Sequence, residues 1–174
     1  AATSWDQFDM GSLLEGSLLK DRPDLAVPFV DNHDSQPGQA LESWIDEWFK
    51  PIAYGVILLH QSGLPTIFYG DYYGIESIDY KGFQETLDKL LALRQENAYG
   101  DQHDYFDHRN CIGYTRTGDD EHPDGLAFIA TNGEQAKKRM YVGELHVGEE
   151  WVDAMGEIEG SVTIEEDGTG VFKV

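Results

Sequence analysis

The sequence predicts an α/β segment followed by an all-β segment, and three observations carry that expectation. Over residues 1–97, apolar runs at helical spacing alternate with two short β-branched runs, the pattern of βα units around a parallel sheet. After residue 98 the helical period disappears, and short apolar or aromatic runs alternate with Gly, Asp and Asn, as in a small antiparallel sheet module. Hydrophobic residues make up 40% and aromatics 12% of the 174 residues, enough for a packed core.

Taken in order, Phe8, Leu14, Leu18 and Leu19 stand at loosely helical spacing ahead of Pro23. Leu25–Val30 is a short apolar run that ends abruptly in Asp31-Asn32-His33-Asp34, a buried strand with polar residues at its C-terminal end. Pro28 costs that strand a ladder hydrogen bond. Residues 41–61 read as helix, with Leu41, Trp44, Ile45, Trp48, Phe49 and Ile52 in phase. Pro51 either kinks it or opens a second helix through Leu59. Thr66–Tyr69 is a second strand, and residues 83–95 form a helix on Phe83, Leu87, Leu90 and Leu91. The later strands are Ile112–Arg116, Leu126–Thr131, Arg139–Val142, Glu150–Val152, Val162–Ile164 and Val171–Val174, with residues 119–125 as an exposed hairpin loop. Two units follow, residues 1–97 and residues 98–174. Two parallel strands do not make a stable sheet by themselves, so the first unit reads as incomplete.

Charge narrows the function classes. The formal charge is −21, with 16 acids against 6 bases up to residue 97 and 17 against 6 after it. An acidic tail on a neutral domain is thereby excluded. Such a surface repels phosphate backbones and anionic headgroups, so neither nucleic acid nor a membrane is expected as a partner. No apolar run approaches the roughly 20 residues of a membrane span. The acidity reads as an ordinary solvated surface or as adaptation to salt. One cysteine, Cys111, forms no internal disulfide and no Cys-rich zinc site.

Candidate chemistry concentrates in Asp31-Asn32-His33-Asp34. The C-terminal end of a parallel strand is where α/β folds place reacting groups, and a His beside a carboxylate suits sugar hydroxyls or a developing cation. The competing reading is a loop in which Asp34 caps a helix and His33 packs. His103-Asp104-Tyr105-Phe106-Asp107-His108 has metal-ligand residue types, but no strand or helix phase puts all four ionisable groups on one face, which favours packing. Trp44 and Trp48, at i, i+4, read as core.

The wording around these positions changes the balance. Phe29–Asp34, Gln36-Pro37-Gly38-Gln39, Trp48–Tyr54, Gly63–Asp71, Tyr99–His108 and Lys138–Gly143, in this order, resemble segments of the α-amylases of glycoside hydrolase family 13, bacterial liquefying and intracellular types. The resemblance runs from about Phe8 to Phe172. It implies the C-terminal part of a larger enzyme: strands seven and eight of a (β/α)8 barrel within residues 1–97, then an antiparallel β-sandwich, domain C, over residues 98–174. It implies that Asp34 is the transition-state-stabilising carboxylate and that His33 hydrogen-bonds sugar hydroxyls. The nucleophile and the general acid would lie in barrel strands one to six, the expected partner of this chain, and the substrate would be an α-glucan. Tyr72 and Tyr73, after strand eight, become candidate sugar-stacking rings. The family's main calcium sites would lie upstream. A further calcium site between barrel and domain C would map to the carbonyls of Asp6, Phe8 and Arg109 and the side chains of Asn110 and Asn132. Two neutral amides in place of carboxylates would weaken it severely, so no well-occupied calcium is expected here. The rival function is a non-catalytic carbohydrate-binding or interaction remnant of a truncated amylase.

Overall fold

A computed structural model describes residues 8–174. Asp6 lies outside the described residues. The helical elements are α1 (Leu18–Asp21), α2 (Lys50–Leu58), α3 (Tyr69–Tyr73) and α4 (Gln84–Asn97). The strands are β1 (Gln102–Tyr105), β2 (Cys111–Arg116), β3 (Leu126–Thr131), β4 (Lys137–Tyr141), β5 (Glu150–Val152), β6 (Ser161–Thr163) and β7 (Thr169–Lys173).

All strand pairs among these are antiparallel: a sheet in the order β1-β2-β3, and the pairs β4-β7 and β5-β6. The central sheet is covered on both sides. On one face Ile112, Tyr114, Phe128 and Ala130 join Tyr54, Leu58, Leu87 and Leu90 of α2 and α4. On the other, Ala127 and Ile129 pack on Met140, Val142, Ile164 and Phe172. The period-2 alternation of β3 thus feeds two cores. Gly113 permits the close approach of this second layer, since a Cβ there would stand 2.6 Å from the Phe128 carbonyl oxygen and 2.8 Å from Met140 Sδ. Residues 119–125 form the expected β2–β3 loop, where Asp119 Oδ1 accepts the Glu121 and His122 N–H groups.

Four expectations need correction. The expected helix over residues 41–61 begins only at Lys50, after a 3₁₀ turn at Glu47–Phe49. The helical spacing of Trp44 and Trp48 therefore does not place them on one helix, and Trp48 is exposed. Residues 8–19 form a 3₁₀ turn at Met10–Ser12 and the single turn α1, because Asp9 and Ser17 each cap a new start. The two expected parallel strands are reduced to one bridge, Phe29–Thr66, flanked by N–H donation from Leu64 to Ala26 and from Thr66 to Pro28. The second run turns into α3 at Tyr69, where Asp71 is drawn into a buried ion cluster. Finally, β1 is a strand that apolar periodicity missed, since Gln-His-Asp-Tyr pairs through its backbone and carries almost no apolar signal.

Candidate functional site

The turn at residues 31–35 follows the Phe29–Thr66 bridge directly. It is closed by its own polar residues. Asn32 Oδ1 accepts the N–H groups of Asp34 (2.8 Å) and Ser35 (3.0 Å), and Ser35 Oγ accepts the Asn32 N–H (3.0 Å). Ser35 Oγ also donates to Asp31 Oδ1 at 2.8 Å. This short-range network holds His33 and Asp34 outward, with side chains 82% and 61% exposed and His33 Nε2 3.4 Å from Asp34 Oδ1. The structure thus brings His33 and Asp34 together on a pinned turn.

Beneath the turn lies a cluster that motif reading missed. Lys50 at the start of α2 is fully buried, with Nζ 2.9 Å from Asp31 Oδ2 and 2.5 Å from Asp71 Oδ1. The ammonium also stands 3.0 Å from the centroid of the Trp44 ring. Asp31 Oδ2 accepts the Ile45 N–H, and Asp71 accepts the hydroxyls of Tyr54 (2.7 Å) and Tyr80 (3.0 Å). Burial, helped by the Asp71 carboxylate, pushes both phenols well above their usual range and keeps them as donors. The available signal was a lysine inside an apolar run, Trp48-Phe49-Lys50-Pro51-Ile52, because a buried ammonium demands acidic partners.

The two candidate stacking rings separate in environment. Tyr72 donates its hydroxyl to Asp88 Oδ1 at 2.7 Å, accepts from Gln84 Nε2, and is packed on the core formed with α4. Tyr73 is exposed, its ring 4.6 Å from those of Tyr69 and Tyr72.

The positions of the weak calcium candidates do converge, but as donors and acceptors of each other. Asn132 Nδ2 donates to the Phe8 carbonyl at 3.1 Å, Asn110 Nδ2 donates to Asn132 Oδ1 at 3.0 Å, and the Met10 N–H donates to the Arg109 carbonyl at 2.8 Å. A cation needs lone pairs turned toward it. Here two amide N–H₂ groups turn into the cluster, each donating to an oxygen that a cation would need. In the 103–108 segment, His103 packs edge-on to Tyr141, Asp107 pairs with Lys138, and His108 Nδ1 accepts the Asn110 N–H. Among the described residues, no group of three or more His, Cys, Asp or Glu side chains is placed to hold a metal. No helix described is long and apolar enough to cross a membrane.

An exposed His–carboxylate pair thus stands on a turn at the end of a parallel bridge, ahead of a layered antiparallel module. Likeness to known proteins is more particular. The chain is 51% identical over its whole length to an α-amylase of Geobacillus stearothermophilus and 46% identical to a glucan 1,4-α-maltohexaosidase of Bacillus sp. strain 707. It spans 32% and 34% of those relatives, and corresponds to the C-terminal third of α-amylases of the glycoside hydrolase family 13 type. No family profile matches the chain. In fold it is similar to the crystal structure of a γ-CGTase from alkalophilic Bacillus clarkii, with a TM-score of 0.62 at 20% identity over 99% of this chain and 29% of that one.

Proposed function

We propose that this chain is the C-terminal part of an α-amylase-type hydrolase that cleaves internal α-1,4-glucosidic bonds of starch or glycogen with retention. In this reading residues 1–97 complete a (β/α)8 barrel begun by upstream strands one to six, and residues 98–174 form domain C. The observation that carries it is the likeness to an α-amylase at 51% identity across the whole chain.

Asp34 is the stabilising carboxylate. Its negative charge opposes the positive charge that develops on the sugar ring in an oxocarbenium-like transition state, and the fixed turn avoids reorganisation at that moment. The carboxylate is 61% exposed here, so water screens it. Covering by the upstream segment and by substrate would remove that water and strengthen the same charge. His33 donates to or accepts from sugar hydroxyls, and Tyr73, with Tyr72 behind it, offers a ring to a pyranose face. The nucleophile and the acid come from the upstream segment, so the chain alone does not hydrolyse α-glucan. Any resident calcium is held by that upstream segment.

The experiment compares starch hydrolysis by the pure chain, by the chain mixed with the upstream segment, and by the same mixture carrying Asp34→Asn. The expected pattern is no activity, activity, and a kcat lower by orders of magnitude. Hydrolysis by the demonstrably pure chain, or a kcat within a few-fold of the parent for Asp34→Asn, overturns the proposal.

A further inference from the structure

Two aspartates and a lysine are buried together beneath the turn that bears His33 and Asp34. Removing charges from water is expensive, and a satisfied buried ion cluster is often no more stabilising than hydrophobic residues of the same volume. Its presence here is better matched to what it connects. Asp31 lies two residues beyond Phe29, and Asp71 five beyond Thr66, so Lys50 ties together the chain segments leaving the two bridged positions. One oxygen of Asp31 is taken by Lys50 and the Ile45 N–H, and the other by Ser35 Oγ. Ser35 in turn receives the Asn32 N–H and closes the turn that bears His33 and Asp34.

We infer that Lys50 is a positioning residue for Asp34, acting through Asp31 and Ser35; this rests on the reading of Asp34 as the stabilising carboxylate. The chain of contacts has no slack. Lys50 is fully buried and held against the Trp44 ring, and Asp71 is fixed on its far side by Tyr54 and Tyr80. Without the ammonium, Asp31 and Asp71 face each other as uncompensated like charges. Asp31 then swings toward solvent and takes Ser35 with it. A carboxylate displaced by about 1 Å from the developing charge loses about 10²-fold in rate, because its stabilisation depends on position. His33 shifts with the same turn, but a hydrogen bond to a sugar hydroxyl is made in ground and transition state alike, whereas the charge of Asp34 acts mainly in the transition state, so KM changes less than kcat.

The test uses the complete enzyme, with this chain as its C-terminal part, and reads kcat and KM separately on a soluble α-glucan. Lys50→Met is expected to lower kcat by about 10²-fold with KM within a few-fold of the parent. Ser35→Ala cuts the link at Asp31 Oδ1 while leaving the Lys50 ion pairs in place, and is expected to lower kcat by about tenfold. Ser35→Thr keeps the hydroxyl and is expected to restore most of that loss. A folded Lys50→Met enzyme with parental kcat overturns the inference. If Lys50→Met does not fold, the serine pair decides: parental kcat in Ser35→Ala, or equal loss in Ser35→Ala and Ser35→Thr, overturns it. Asp34→Asn is measured alongside. An inactive Asp34→Asn with an active Lys50→Met removes only the positioning role, whereas an active Asp34→Asn removes the reading of the site itself.

Discussion

Tyr114 Oη donates to the carbonyl oxygen of Gly55 at 2.7 Å, joining the middle of β2 to the middle of α2 across 59 residues of sequence. The contact requires the helix to lie flat on the sheet, and Gly55 allows it. A Cβ at that position would stand 2.4 Å from Phe128 Cε2, on a ring that is itself stacked on Tyr114.

Gly55→Ala is therefore expected to destabilise the chain by about 1–3 kcal/mol through overpacking, against the gain of up to about 1 kcal/mol that alanine brings to a helix interior. Tyr114→Phe is expected to cost less, about 0.5–1.5 kcal/mol, because the Gly55 carbonyl also accepts the Leu59 N–H at 3.2 Å. Urea denaturation followed by circular dichroism orders the two. A Gly55→Ala chain as stable as the parent would show that Phe128 moves aside.

What could be read from sequence follows the range of the forces involved. Leu87 and Leu90 repeat at helical spacing on one face, so α4 is legible from its own residues. The alternation along Leu126–Thr131 likewise marks β3. Leu41, Trp44, Ile45 and Trp48 have the same helical spacing, yet residues 41–46 form no helix, since the Trp44 ring is taken by Lys50 and the Ile45 N–H by Asp31. Asp31 lies 14 residues from Ile45, and Lys50, although near Trp44 in sequence, is held there by Asp31 and Asp71, so the helical period gives no hint of either partner. The same holds around the candidate site: the adjacency of His33 and Asp34 is visible in the sequence itself, whereas Lys50 and Asp71, 21 residues apart, become a pair only once α2 and α3 pack.

Acid is expected to weaken the fold first through His60. Burial pushes its imidazole below the usual histidine range, against the opposing pull of Asp104, and the Ser62 N–H donates to the Nδ1 lone pair that only an unprotonated Nδ1 offers. The unfolded chain then binds the proton more readily than the folded one. This contribution is in place above the ordinary histidine value, about 6.5, and is lost as pH falls through and below it. Carboxylates held low, such as Asp107 beside Lys138, act in a separate and more acidic window. Denaturation midpoints measured across this range should fall below about pH 6.5 in the parent and stay flatter in His60→Gln, whose amide oxygen can still accept the Ser62 N–H. Equal slopes in both proteins would discard His60 as the cause.

Calcium is expected to leave the thermal stability of this chain unchanged, because Asn110 and Asn132 fill the cluster at Phe8 with N–H donors. The double variant Asn110→Asp, Asn132→Asp replaces both amides by carboxylates. It should melt lower than the parent under chelation, where the carboxylates face carbonyl oxygens, and rise when calcium is added. Calorimetry of both proteins with calcium and with a chelator makes the comparison. A calcium-dependent rise in the parent would mean that the amides rotate to offer their oxygens.

The chain by itself is expected to associate rather than run as a free monomer. Leu25, Val27 and Phe29 are each more than half exposed along the first bridged segment, and Leu64 and Tyr69 are about 70% exposed beside the second. The two segments share only one bridge, so backbone donors and acceptors on their outer sides face water together with these apolar side chains. A sheet edge of this kind pairs readily with another chain. Its apolar residues also lie close together in sequence, unlike the scattered ones that soluble surfaces tolerate. A charge of −21 opposes contact at long range, but salt screens it within about 10 Å. Sedimentation in low and high salt should therefore show species heavier than 19.6 kDa, and more of them as salt rises. Adding the upstream segment should collect the chain into a one-to-one complex, because that segment would cover the same edge. A single sharp 19.6 kDa species in high salt, with no binding of the upstream segment, would mean that this edge is not a contact surface.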